Sequence, residues 1–363
     1  MKRLPSILLA GLGLGALAAA GSLEPYLVRA RPSGDATSFA APRNASPLVV
    51  FTTVALGGFR GIAIDILWAR ICMLQDEGEY IEIAQLSELI TKLNPRLPIV
   101  WDYHSHNMAY NIASMASTPQ DRWRWIGAGI SMLRDEALAY NPGSGDLRER
   151  LCRIYTHKMI DYTDPGRQFY RIAWATEMAA ALEKGAGGGT GNRWSGVKLD
   201  RSVMDGIDKT FGPLDWRLPE AYVLYWATLG GKAAGDTVQK SLDVMICGAM
   251  VETLLNGRIV DFRPADQVLT TDVLDDALPR TIATFKSTAA RHDFSLVDDI
   301  GFGSFYRRAL RRAVVVLTEK QHMAQAEAIF GILRDELHDK GTDLPLADYV
   351  AALASPQPPT ASP

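Results

Sequence analysis

Cysteine is scarce in this 363-residue chain, which has only Cys72, Cys152 and Cys247. They are far apart, form no C-x-x-C pair and sit in apolar helical patterns, which argues against a disulfide framework and predicts three buried free thiols. An exported body would leave oxidation of one pair open. An excess of one charge is also missing: 38 basic against 41 acidic residues give a net charge of −3, without any Lys/Arg block. A nucleic-acid partner is therefore not expected. Complete ligand motifs are absent as well. The stretch GAGGGTGNRWSG, residues 185–196, has six glycines but no following G-K-[ST], so it reads as a flexible insertion and not a phosphate loop. Asp76, Glu77, Glu79 and Glu82 lack calcium-loop spacing and read as a solvated turn. No cofactor or metal is implied.

One long apolar run is present. Lys2 and Arg3 precede LPSILLAGLGLGALAAAGSL, residues 4–23, which has the form of an export signal with small residues at Ala18–Ala20. The same run is long enough to cross a bilayer, so residues 1–23 are either a cleaved signal peptide or an anchor. Residues 24–56 read as a linker rich in Pro, Ser, Ala and Gly. The body would then lie on the exported side of a bacterial cell envelope, attached to the membrane if the run is not cleaved.

Hydrophobic residues make up 47% of the chain, ample for a core, and their period is helical. Leu86, Leu89, Ile90 and Leu93 form one stripe, as do Ile126, Ile130, Leu133 and Ala137. A longer stripe runs through Leu242, Met245, Ile246, Ala249, Met250 and Thr253. Thr118-Pro119-Gln120-Asp121 is a helix-start signature, Asp164-Pro165 another, and Pro219-Glu220 a third. The expected fold class is all-α.

Two segments, GEYIEIAQLSELITKLNP (78–95) and WIGAGISMLRDEALAYNP (125–142), both end a helix in Asn-Pro, with another helix following closely. Gly78, Tyr80 and Pro95 followed by Trp101, with Tyr155 after Pro142, resemble a divergent tetratricopeptide repeat. Ile71 and Ile83 depart from it, standing where that motif has small residues. The spacing of 47 between Pro95 and Pro142 exceeds a 34-residue unit, with the excess expected around SMASTPQ. LGGFRGIAIDILWAR, DRWRW and DWRLPEA are also similar to segments of uncharacterised bacterial exported repeat proteins. The resemblance implies antiparallel helix pairs stacked into a curved solenoid behind an N-terminal hydrophobic helix. Repeats are expected over 57–184, an insertion over 185–210, further helical repeats over 211–340, and a terminal segment with a disordered tail over 341–363.

WDYHSHNMAYN, residues 101–111, poses the question of catalysis. On a helix, i and i+2 project about 200° apart, so His104 and His106 do not ligate one ion together. His106 falls with Asp102 and Tyr110, and His104 toward the packed side. His157 and Asp161 read as a solvated pair because no nucleophile accompanies them. Asp215 and Arg217 read as a lock on a helix start, with a sugar-binding role for Trp216 the lesser alternative. Trp123 and Trp125, two apart, do not both enter one core. In the tetratricopeptide resemblance the inner face maps to Asp65, Trp68, Asp102, His106, Tyr110, Glu149, Arg153 and His157, a mixed-charge groove suited to a protein or peptide partner. The expected function is a non-catalytic scaffold for protein–protein interaction. Alternatives are a structural subunit of a secretion or surface-assembly machine, or a glycan-cleaving enzyme of the lytic transglycosylase type using Glu220, Glu177 or Glu136.

Overall fold

Gly78 shows how the chain builds its first turn. Helix α1 (Phe59–Glu77) ends where Gly78 adopts φ +77°, and the Glu79 amide closes back onto the Leu74 carbonyl at 3.0 Å, a left-handed glycine stop that lets α2 (Tyr80–Leu93) fold against α1. Their interface buries Ile71, Leu74, Ile83 and Ile90. Each such side chain contributes roughly 1.5–3 kcal/mol. Ile71 and Ile83, the departures from the repeat pattern, are thus the filling of this interface.

The computed structural model describes residues 59–186, 193–194, 199–231 and 235–354. The expected signal or anchor, the linker, most of the glycine run and the tail from residue 355 lie outside the described residues. Thirteen helices occur among those described. No described helix is long and apolar enough to cross a membrane.

Helix α3 joins Pro98–His106, a π-helical segment Asn107–Ile112 and Ala113–Met115 without a break. Helix α4 likewise joins Pro119–Ser131, π-helical Met132–Ala137 and Leu138–Tyr140, and α5 joins Gly145–Tyr155 to π-helical Thr156–Ile160. The extra length between Pro95 and Pro142 lies in these long helices with π turns, while only Ala116–Thr118 separates α3 from α4. Thr118 caps α4, its Oγ1 accepting from the Asp121 amide at 3.1 Å. Trp101 is buried, and its indole N–H donates to the Pro95 carbonyl at 2.8 Å, seating α3 on the turn that precedes it. Asn141 donates to the same carbonyl at 2.9 Å, linking successive Asn-Pro turns.

Helix α6 (Arg167–Ala186) begins two residues after the expected Asp164-Pro165 start, because Asp164 instead shapes a turn by accepting from the Gly166 amide. The expected insertion contains more structure than its composition suggests. Strands β1 (Arg193–Trp194) and β2 (Leu199–Asp200) pair antiparallel, and α7 (Arg201–Phe211) follows, with Asp200 accepting from the Ser202 and Val203 amides. The Asp200 cap and the buried stripe Met204, Ile207 and Phe211 stabilise this helix.

Helix α8 (Pro219–Gly231) is buried nearly all round, and α9 (Asp236–Asn256) packs along it and α5. A hairpin of β3 (Arg258–Arg263) and β4 (Val268–Asp272) interrupts the expected helical repeats and lies on α6, where Leu269 joins Ile172 and Ala175. Then come α10 (Ala277–His292), α11 (Gly301–Glu319), α12 (Met323–Asp335) and α13 (Leu346–Ala354). Helix α13 is docked through buried Tyr349, whose hydroxyl donates to Asp339 at 2.5 Å. Two large cores result, one around Tyr155, Trp174 and Tyr222, the other around Phe285, Tyr306 and Leu333. Helix α9 serves both: Leu242 and Met250 enter the first, Cys247 and Leu254 the second.

The cysteine expectation is corrected at one position. All three thiols are free, but Cys72 is exposed on α1 while Cys152 and Cys247 are buried. Position 72 follows buried Ile71 on the helix and so turns toward the solvent face.

Candidate functional site

Helices α3 and α5 lie side by side, and one stripe of each faces an open cleft of about 770 Å³. Asp102, His106 and Tyr110 descend α3 at i, i+4 and i+8. Asp146, Glu149, Arg150, Arg153 and His157 descend α5 in the same manner. Leu97, Pro98 and Ile99 at the start of α3 form an apolar rim. Of the eight predicted wall residues, Asp102, His106, Tyr110, Glu149, Arg153 and His157 meet here. The other two do not line the cleft. Asp65 is exposed on α1, and Trp68 packs edge-on against Tyr103 with ring centroids 5.3 Å apart.

Of the three acidic residues predicted for the wall, the two that line the cleft are engaged. Arg150 grips Asp102 with two hydrogen bonds, Nε–Oδ1 at 2.6 Å and Nη2–Oδ2 at 2.9 Å. Glu149 pairs with Arg153 one turn away and accepts from the Ser241 hydroxyl of α9 at 2.6 Å. The remaining Arg150 nitrogen, Nη1, lies 3.2 Å from His106 Nδ1. A guanidinium only donates, so His106 accepts there, which requires the neutral ring protonated at Nε2. Desolvation, reinforced by the Arg150 charge, lowers the His106 pKa and favours that form.

The two π segments meet across the cleft. Tyr110, within the α3 segment, stacks on His106 at 4.6 Å and places its hydroxyl 3.1 Å from Nδ1 of His157, which belongs to the α5 segment. Partial desolvation lowers the His157 pKa and pushes Tyr110 up to about 12, so both are neutral near pH 7. His157 thus meets Tyr110, where the sequence pointed to Asp161. The wall consists of two compensated ion pairs, neutral aromatic and imidazole rings, and exposed Asp146. It presents donors and acceptors without a strong field of either sign.

Arg150 is a lining residue that sequence reasoning did not name. Its signal was present in part, since it lies four residues from Asp146 and one from Glu149 on the same face. Its bond to Asp102 spans 48 positions, however, and no local pattern encodes that. His104, two residues from His106, is 6% exposed on the opposite side of α3. Among the described residues no three His, Cys, Asp or Glu side chains are grouped to hold a metal ion. Glu220 is sealed within the fold on Arg171 at 2.6 Å, while Glu177 and Glu136 are exposed on α6 and α4. Trp216 is buried, its N–H donating to Asp208 at 3.1 Å, and Asp215 holds Arg217 at 2.6 Å, so this segment locks the start of α8. Trp123 is buried and Trp125 only partly so. No family model, no curated protein and no solved structure matches this chain.

Proposed function

We propose that the protein is a non-catalytic helical-repeat scaffold of the bacterial cell envelope, and that the cleft between α3 and α5 captures an extended segment of a partner protein. The observation that carries this reading is the convergence of six side chains on one open cleft with an apolar rim and a charge-compensated wall. Asp102 and Glu149 already serve Arg150 and Arg153, so neither carboxylate is placed as a general acid or base. An extended peptide needs paired donors and acceptors with an apolar anchor point, which this wall and the Leu97–Ile99 rim supply. The tetratricopeptide likeness, a curved stack of helix pairs, is part of the same reading and rests on Gly78, Pro95 and Trp101 in the turns they serve. The envelope location rests on residues 1–23.

The test is affinity purification from native membranes with wild-type protein and a variant carrying Asp102→Ala, Tyr110→Ala and Arg153→Ala. Partners retained by wild type should be lost from the variant at unchanged helical circular dichroism. Unchanged retention would sink the assignment. A second reading, a permanently assembled subunit, is favoured by α1, where Ile62, Ile66 and Met73 stand 56%, 65% and 56% exposed. Self-association of the isolated body on size exclusion, abolished by Ile66→Glu, would favour that reading.

A further inference from the structure

A second cleft, sharing no wall residue with the first, opens between α7, α8, α9 and α10 and encloses about 1020 Å³. It stays open because the facing positions carry short side chains: Ser202, Gly206 and Thr210 on α7, Ala283, Thr284 and Ser287 on α10. A Cβ added at Gly206 would meet nothing within 4 Å. Helices packed only for stability fill such a space with branched apolar side chains. Here apolar groups cover one part of the wall, through Val203, Ile207, Phe211 and Ile246.

The polar groups are arranged unevenly. The Arg280 guanidinium has no hydrogen bond or ion pair among the described residues, and its Nη1 is sealed from solvent. The guanidinium lies against Gly212, which at φ +116° leaves room for it; a Cβ there would come within 2.6 Å of Nη1. A partly buried cation without a counter-ion is costly, and the described residues around it offer none. Asp243, also on the wall, is 3% exposed. Its Oδ2 receives Arg291 at 2.8 Å and His292 Nε2 at 2.7 Å, which leaves Oδ1 as an unused acceptor. Because Arg291 compensates Asp243, the charge of Arg280 is surplus. Thr228 adds a buried hydroxyl with no partner among the described residues.

We propose that this cleft binds a small hydroxylated organic acid of the sugar-acid class. Its carboxylate is the missing counter-ion of Arg280, a hydroxyl of the ligand donates to Asp243 Oδ1, and its C–H faces rest on Phe211 and Ile207. The Ser and Thr hydroxyls around it match a polyhydroxylated ligand better than a plain hydrocarbon chain.

Isothermal titration of the intact protein with D-glucuronate, D-glucose and octanoate tests each part. Glucuronate should bind, with glucose and octanoate at least tenfold weaker. Arg280→Ala should lower glucuronate affinity at least tenfold, and Gly206→Leu, which projects a branched side chain into the cleft, should lower it likewise. Neither change is expected to unfold the protein, since the Arg280 guanidinium has no polar partner among the described residues to lose and Gly206 faces open space. Absence of glucuronate binding, unchanged affinity in Arg280→Ala, or octanoate binding as well as glucuronate would each overturn the proposal.

Discussion

His104 and His106 stand two positions apart on one helix and meet different dielectrics. His104 is almost wholly buried, and desolvation drives its pKa from 6.5 down to about 4. Its folded-state value is depressed, so its contribution to stability is fully present above about pH 6.5 and is lost as pH falls toward 4. Linkage makes that loss roughly 3 kcal/mol. Urea unfolding followed from pH 7 to pH 4 should show it, and His104→Phe should reduce the decline by a similar amount; parallel profiles would contradict this account. His106 answers to Arg150. In Arg150→Leu, Asp102 is freed and a positive neighbour removed, both of which raise the His106 pKa, and NMR titration of the ring should record an upward shift. The separation of these histidines was readable from the helical period alone. The Asp102–Arg150–His106 chain was not, because it depends on the lateral alignment of α3 with α5.

Asn94-Pro95 follows α2 and Asn141-Pro142 follows α4, and six residues after each proline a side chain reaches back to its carbonyl. Trp101 donates to Pro95 at 2.8 Å and Arg148 to Pro142 at 2.6 Å. The role is kept while the residue type changes, so the first turn was evident from its tryptophan and its successor was not. The three π segments also left no mark in the hydrophobic pattern, since an extra residue per turn displaces a stripe without erasing it. Helix α7 was obscured by the glycine run before it, although Asp200 and the period Met204, Ile207, Phe211 were there to find. Gly78 is where the turn chemistry of α1 and α2 is most exposed to test. Nothing lies within 4 Å of an added Cβ, so substitution acts through the backbone at φ +77° alone. Gly78→Ala should cost about 1 kcal/mol in urea unfolding, and Gly78→Asn clearly less, because asparagine tolerates the left-handed region. Equal costs would mean that the turn relaxes out of that region.

Helix α9 gives the molecule its unity, because one element lends opposite faces to both large cores. Melting either core removes a wall of the other, which predicts one cooperative transition across the described body. The distribution of tryptophan makes this measurable: all eight precede residue 227 and none lies in the second core, so indole fluorescence reports the part of the molecule up to α8 while far-ultraviolet circular dichroism reports every helix. The two signals should superimpose in urea. Leu254 supplies the sharper test, since it lies in the core that contains no tryptophan and is 1% exposed. Leu254→Ala should destabilise by roughly 2–5 kcal/mol. If α9 couples the cores, the fluorescence midpoint must fall together with the dichroism midpoint. A fluorescence transition that stays in place while part of the dichroism melts earlier would show two separately folding halves, with the α3–α5 cleft independent of everything beyond α9.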